Sequence, residues 1–315
     1  MHRDHEYHPE RADQRRSGGD GPDVPRGGRS GSTSRPRQPA DRDVTAALRQ
    51  QLDLPRGDAR ERVELRDRSY QLRDSDVRVL ATIGAFRVVD ASDIQTDRDR
   101  WHGELHHLRE AGLIEGTRKI LDGRPTTVVS LTDEGRRLLE EHQRERDDDP
   151  RQQFYAGVAK PRELAHDARL YRAYTDAADR LATTGARVQR VVLDYELKRE
   201  YQQYLQANNR QHRRASGRPD RSPEEIQAWA AAHDLTIVDG RVQFPDVRIE
   251  YERPDAGRGH EDLELATEHY NARQIAAKHA AGFSMHGSGA GRLGGSGGRS
   301  GGRPFDPHAA ERVLG

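Results

Sequence analysis

Between Asp74 and Leu139 the hydrophobic period changes in an order that few architectures accommodate. Val77, Leu80, Ala81 and Gly84 recur at helical spacing behind Asp74 or Ser75, either of which can cap a helix start. A short segment surrounds Ile94, and behind Thr96 the residues Trp101, Leu105 and Leu108 fall at i, i+4 and i+7, so a third helix turns them toward a core. Gly112-Leu113-Ile114 then leads into a strand near Thr117–Ile120, a turn over Asp122-Gly123-Arg124-Pro125 and a return strand over Thr126–Leu131. Leu131-Thr132-Asp133-Glu134-Gly135-Arg136 opens a further helix.

The succession Leu108-x-x-Ala111-Gly112-Leu113-Ile114, a hairpin, then Leu131-Thr132-Asp133-Glu134-Gly135-Arg136-Arg137-Leu138-Leu139 resembles bacterial winged-helix regulators of the MarR and PadR type. The resemblance implies a winged helix-turn-helix over residues 72–146 whose partner is double-stranded DNA. Its third helix would enter the major groove with Arg98, Arg100, His102, His106 and Arg109, while Arg118, Lys119 and Arg124 on the wing pair with phosphates. Asp97, Asp99, Glu104 and Glu110 dilute that charge, so a homodimer or a protein partner is expected to supplement affinity.

Composition limits the rest. Hydrophobic residues make up 32% of the chain and charged residues 34%, so only part of it can bury a core. The 53 basic and 53 acidic side chains cancel, and any attraction to nucleic acid must therefore come from local patches. Residues 1–43 are Arg, Gly, Ser, Pro and Asp, which predicts a disordered tail. From 44 to 71, Leu48, Leu52, Leu54, Val63 and Leu65 are spread around Pro55, which predicts short helices leading into the first domain. A polar insert spans 208–221, and a Gly-rich tail over 286–315 ends in Phe305–Leu314, a segment suited to docking on a protein partner. No cysteine, no long apolar run and no apolar stretch within the charged opening Met1–Arg16 are found, so a cytoplasmic location with no membrane association is expected.

Residues 160–285 carry the second group of signals. A helix over Leu164–Leu181 contains His166, a strand covers Val188–Leu193, and Asp194-Tyr195-Glu196-Leu197-Lys198-Arg199 follows. Ser222, Pro223 and Glu225 form a capping box for a helix reaching about His233. Leu235–Val238, the turn dipeptide Asp239-Gly240 and Val242–Glu252 predict a hairpin, with Pro245 at an edge or bulge. Pro245-Asp246, Asp262-Leu263-Glu264 and Lys278 resemble a PD-(D/E)xK nuclease core, and with the preceding unit residues 72–285 resemble the replication-relaxation family of plasmid and mobile-element proteins.

The resemblance implies an α+β chain, an N-terminal winged helix-turn-helix followed by a small α/β nuclease-like domain, with disordered tails. Asp246 and Glu264 would hold Mg²⁺ and a lysine would orient water and stabilise charge. Where that lysine is expected, two residues after Glu264, the chain has Ala266; Lys278 on the next helix stands in for it, in one stripe with Tyr270 and Gln274. Glu196, Glu250 and Glu252 are further candidate carboxylates, and little chain remains after Phe283 for more strands. The expected function is DNA binding in plasmid or mobile-element replication and relaxation with a degenerate nuclease-like domain. The alternatives are a Mg²⁺-dependent endonuclease or nickase using Asp246, Glu264 and Lys278, and a transcriptional regulator or DNA-processing adaptor. Phosphate-loop, dinucleotide and nucleophile-elbow motifs are missing from the sequence.

Overall fold

The computed structural model describes residues 46–94, 98–121, 123–145, 150–158, 163–207, 221–266 and 270–287. The expected tail 1–43, residues 208–220 of the polar insert and the Gly-rich segment from 288 with its terminal peptide lie outside them. The described chain is mixed α+β.

It begins with α1 (Ala46–Gln50), β1 (Glu61–Leu65) and β2 (Arg68–Leu72). The expectation of short helices over 44–71 is corrected here, because among the described residues of this span only α1 is helical and Glu61–Leu72 forms an antiparallel hairpin pairing Val63 with Tyr70. Val63, Leu65, Tyr70 and Leu72 alternate at period two and bury one face, and Arg66 turns the chain at φ 53.

Next come α2 (Asp74–Phe86), β3 (Val89–Asp90), α3 (Ala91–Ile94), α4 (Arg98–Glu110), β4 (Ile114–Leu121), β5 (Arg124–Leu131) and α5 (Asp133–Glu141). Apart from β3, which the sequence did not signal, these fall where the sequence periodicity placed them, with longer strands. The cap of α2 is one residue earlier than expected: the Asp76 carboxylate accepts the Arg73 backbone N–H at 3.1 Å. β3, β5 and β4 form a three-stranded sheet in that order. Gly135 is required where α5 meets the chain before β4, since a Cβ there would sit 2.1 Å from the Leu113 carbonyl oxygen.

The remainder comprises α6 (Leu164–Thr183), β6 (Arg187–Leu193), α7 (Asp194–Gln206), α8 (Pro223–Ala232), β7 (Ile237–Val238), β8 (Arg241–Val242), β9 (Val247–Glu252), β10 (Arg258–Leu265), α9 (Ala272–Ala280) and β11 (Ser284–His286). A four-stranded sheet runs β11-β10-β9-β6, antiparallel except for the parallel β10–β11 pair. β11 corrects the expectation that little chain remains after Phe283 for more strands: a nine-residue helix carries the chain back, and three residues pair with Leu263–Leu265. The hairpin predicted over 235–252 is also split. Asp239-Gly240, both at positive φ, turn only the short β7–β8 pair, and β9 leaves to join the large sheet. Pro245 lies between the two strands, where its missing N–H removes no ladder bond.

The two expected domains share one apolar core. It runs from Leu80 and Phe86 of α2 through Tyr171 and Tyr174 of α6 to Val247 and Leu263 of the large sheet. Residues 150–158 stitch the halves together. Gln152 donates to and accepts from the backbone of Val191 on the outer edge of β6, both at 2.9 Å, and Gln51 donates to the Gln189 carbonyl at 2.6 Å. An edge strand is thereby satisfied by side-chain amides. Among the described residues no helix is long and apolar enough to cross a membrane.

Candidate functional site

Two regions contain the residues that the sequence singles out. The first lies where β9, β10, α6, α7 and α9 converge. Asp246 immediately precedes β9 and Glu264 lies near the end of β10, on the neighbouring antiparallel strand. The Leu265 backbone N–H donates to Oδ2 of Asp246 at 2.8 Å, which holds that carboxylate against the end of β10. Lys278, in the last turn of α9, places Nζ 2.9 Å from Oε1 of Glu264 and donates to the Phe244 carbonyl at 2.7 Å. Asp246, Glu264 and Lys278 are thus brought together.

Glu264 is fully buried. Its Oε1 also accepts from the Tyr270 hydroxyl at 2.7 Å, whereas Oε2 has no hydrogen-bond partner among the described residues. Burial, together with the Asp246 charge beside it, pushes the Glu264 carboxyl above the usual range despite the opposing pull of Lys278 and Tyr270. Tyr270 is in turn held protonated, by burial first and then by its bond to Glu264 and the nearby Asp246 and Asp194 charges. The stripe of Tyr270, Gln274 and Lys278 is only partly realised: Tyr270 precedes α9, and Gln274 accepts from the Asn271 N–H as part of the helix cap.

His166 was present in the sequence only as part of a helix, with no local signal of a role. On α6 its Nε2 approaches Oδ2 of Asp246 at 3.2 Å and its Nδ1 approaches Asp167 at 3.4 Å. Burial works against a charge there, but the hydrogen bonds and charges of Asp167 and Asp246 outweigh it and raise the imidazole to about 10. His166 is therefore an imidazolium at neutral pH. Lys198 bonds Asp194 at 2.6 Å within α7, and although burial opposes its charge, Asp194, Asp246 and Glu264 together raise its pKa.

The other candidate carboxylates lie elsewhere. Glu196 is buried against Arg190 and accepts from Tyr155 at 3.3 Å, Glu250 also faces Arg190, and Glu252 pairs with Arg187 at 2.6 Å. The arginines on β6 draw all three away from Asp246. No cluster of three or more metal-ligating side chains occurs among the described residues. The residues present nevertheless fit Mg²⁺, which takes one or two carboxylates and completes its shell with water and phosphate oxygens. The unpartnered Oε2 of Glu264 beside Asp246 provides such a donor set.

The second region is the outer side of α4 with the β4–β5 hairpin. His106 and Arg109 are exposed on α4, while the side chains of Arg98, Arg100 and His102 lie outside the described residues. Glu104, expected to dilute the charge of this helix, is instead buried and bonded to Arg73 at 3.0 Å. Arg118, Lys119 and Arg124 are all exposed on the hairpin, and Ile120 at its end is 76% exposed. Strand alternation puts Lys119 and Arg124 on one face and Arg118 on the other. Arg109, Arg118, Lys119 and Arg124 make no ion pair with another described residue, which leaves them available to an anionic partner. Comparisons with protein-family models, with curated proteins and with solved structures return no match to this chain.

Proposed function

We propose that this protein binds double-stranded DNA, using residues 72–146 as a winged helix-turn-helix and residues 160–285 as a nuclease-like domain, in the replication or relaxation of a plasmid or mobile element. The observation that carries the DNA reading is the set of exposed cations on α4 and the β4–β5 hairpin that make no ion pair among the described residues. In this reading α4 lies in the major groove, and Arg118, Lys119 and Arg124 straddle the hairpin to reach phosphates on both of its sides.

A second reading, a Mg²⁺-dependent nickase or endonuclease, is favoured by the convergence of Asp246, Glu264 and Lys278 and by the orphaned Oε2 of Glu264. Asp246 and Glu264 would hold the cation, which when bound neutralises phosphate charge and lowers the pKa of water. Lys278, fixed by the Phe244 carbonyl, stabilises negative charge at the reacting phosphate, and the His166 imidazolium holds Asp246 in place with a proton at Nε2.

Supercoiled plasmid incubated with the wild-type protein and with Asp246→Asn, in Mg²⁺ or Mn²⁺ and in EDTA, separates the readings by gel shift and nicking. A shift with both proteins is expected. Metal-dependent nicking lost in the variant makes the chain an enzyme, a shift with no nicking makes the carboxylate cluster a scaffold, and no shift at low salt rejects DNA binding altogether.

A further inference from the structure

Helix α7 presents a second set of side chains that the carboxylate cluster does not use. Tyr195 and Arg199 face a cleft of about 880 Å³, closed on its other side by Arg87, Gln153 and Tyr155. Tyr195 is 49% exposed, an unusual amount for an aromatic residue on a structured helix. The Arg87 guanidinium lies 5.4 Å from the Tyr195 ring and 5.1 Å from Tyr155, Arg199 lies 5.8 Å from Tyr195, and the two tyrosines meet edge-on at 6.3 Å.

Arg199 is the cleft's cation on the Tyr195 side without a carboxylate partner among the described residues, and it donates to the Gln153 amide oxygen at 3.0 Å. Arg87 pairs with Asp167 at 3.9 Å, from a backbone with φ 65, a conformation unfavourable to any residue with a Cβ. By contrast Glu140 is bonded to Arg136, and Glu196 to Arg190, so neither acid neutralises Arg87 or Arg199. Glu200 is the remaining acid on the wall.

The cleft also adjoins the carboxylate cluster. Asp194, next to Tyr195, donates its backbone N–H to the Asp246 carbonyl at 3.1 Å, and Arg87, Asp167, His166 and Asp246 follow one another in contact. An exposed tyrosine flanked by guanidinium groups suits unpaired bases, whose π-faces are hidden in a duplex.

We propose that this cleft binds single-stranded DNA, with an unpaired base stacked on Tyr195 and the flanking phosphates held by Arg87 and Arg199. The direction of the strand toward Asp246 rests on the nuclease-like reading above; the stacking does not. A nicking or relaxation protein that holds an opened strand needs such a platform beside its carboxylates.

The test is fluorescence anisotropy with a labelled oligo(dT) of roughly ten nucleotides, in EDTA. The full chain is compared with Tyr195→Ala, Tyr195→Phe and Arg199→Gln, all at partly exposed positions. Tyr195→Ala should weaken binding on the order of ten-fold while Tyr195→Phe binds like the wild type. Arg199→Gln should weaken binding and flatten its salt dependence. An oligonucleotide of the same length with abasic sites should bind as weakly to the wild type as oligo(dT) binds to Tyr195→Ala. Equal binding by Tyr195→Ala and wild type, full affinity for the abasic strand, or no binding of oligo(dT) overturns the proposal. Asp246→Asn, tested alongside, should keep oligo(dT) affinity, so a failure of the carboxylate reading appears in the nicking assay and leaves the Tyr195 result standing.

Discussion

Replacing Lys278 with methionine should destabilise the fold by about 3 kcal/mol at pH 7 and by only about 1 kcal/mol at pH 5. The change deletes the 2.9 Å ion pair to Glu264 and the 2.7 Å bond to the Phe244 carbonyl, while methionine keeps most of the aliphatic stem. Glu264 is then a buried charge whose remaining donor is the Tyr270 hydroxyl, and its cheapest escape is to take up a proton. For a carboxyl with an ordinary pKa of 4.5, neutralisation at pH 7 costs roughly 3.4 kcal/mol and at pH 5 less than about 1 kcal/mol. The wild-type protein already bears part of this cost, because its Glu264 carboxyl is raised, so only the remainder appears as new penalty at pH 7. The orphaned Phe244 carbonyl adds about 1 kcal/mol at either pH. A carboxyl with a raised pKa favours the folded state fully below its unfolded value and loses that contribution as pH rises through the folded value. Removing Lys278 extends the loss to higher pH. Urea unfolding followed by circular dichroism at both pH values, for the wild type, Lys278→Met, Glu264→Gln and the double variant, measures each quantity. In the Glu264→Gln background the Lys278→Met penalty should fall to about 1 kcal/mol at both pH values. A penalty that is the same at pH 5 and pH 7, or undiminished by Glu264→Gln, would refute the buried-pair argument.

His166→Gln should cost about 2 kcal/mol of stability near pH 6, where the imidazolium's contribution is complete, and progressively less toward pH 10, because a group raised from 6.5 to about 10 loses its stabilising effect across that window. A difference between variant and wild type that is constant from pH 6 to 9.5 contradicts the charged imidazolium. Arg248, which holds the buried Asp262 carboxylate at 2.7 and 2.8 Å and also the His233 and Asp234 carbonyls, should cost about 3–5 kcal/mol when changed to methionine. Pairing it with Asp262→Leu should recover a large part of that loss in urea unfolding. The triple change Arg118→Gln, Lys119→Gln and Arg124→Gln, all exposed, should leave the melting temperature unchanged and reduce the slope of log affinity against log salt for duplex DNA by about 2–3. An unaltered slope removes the hairpin from the DNA contact.

Much of the local structure is legible along the chain. The capping box of Ser222 and Glu225, the Asp239-Gly240 turn and the helical spacing of Val77, Leu80 and Ala81 each act within a few residues, so the backbone follows them. The residue types at Asp246, Glu264 and Lys278 were visible too. Period-two signals in short strands were harder. Val63, Leu65, Tyr70 and Leu72 contain only two apolar positions per strand, too few to separate alternation from scatter.

By itself the sequence determined much of the order of helices and strands from α2 to α8, the caps that begin several of them and the chemical types able to meet near the ends of β9 and β10. Only the tertiary structure decided which of those types do meet. Glu196 turned to Arg190, Glu104 turned inward to Arg73, and His166, eighty positions before Asp246, came within 3.2 Å of it. The reason is physical: caps and periodicity are interactions of near neighbours, whereas the choice of partner for a buried charge depends on which distant cation the packed sheet and helices place beside it.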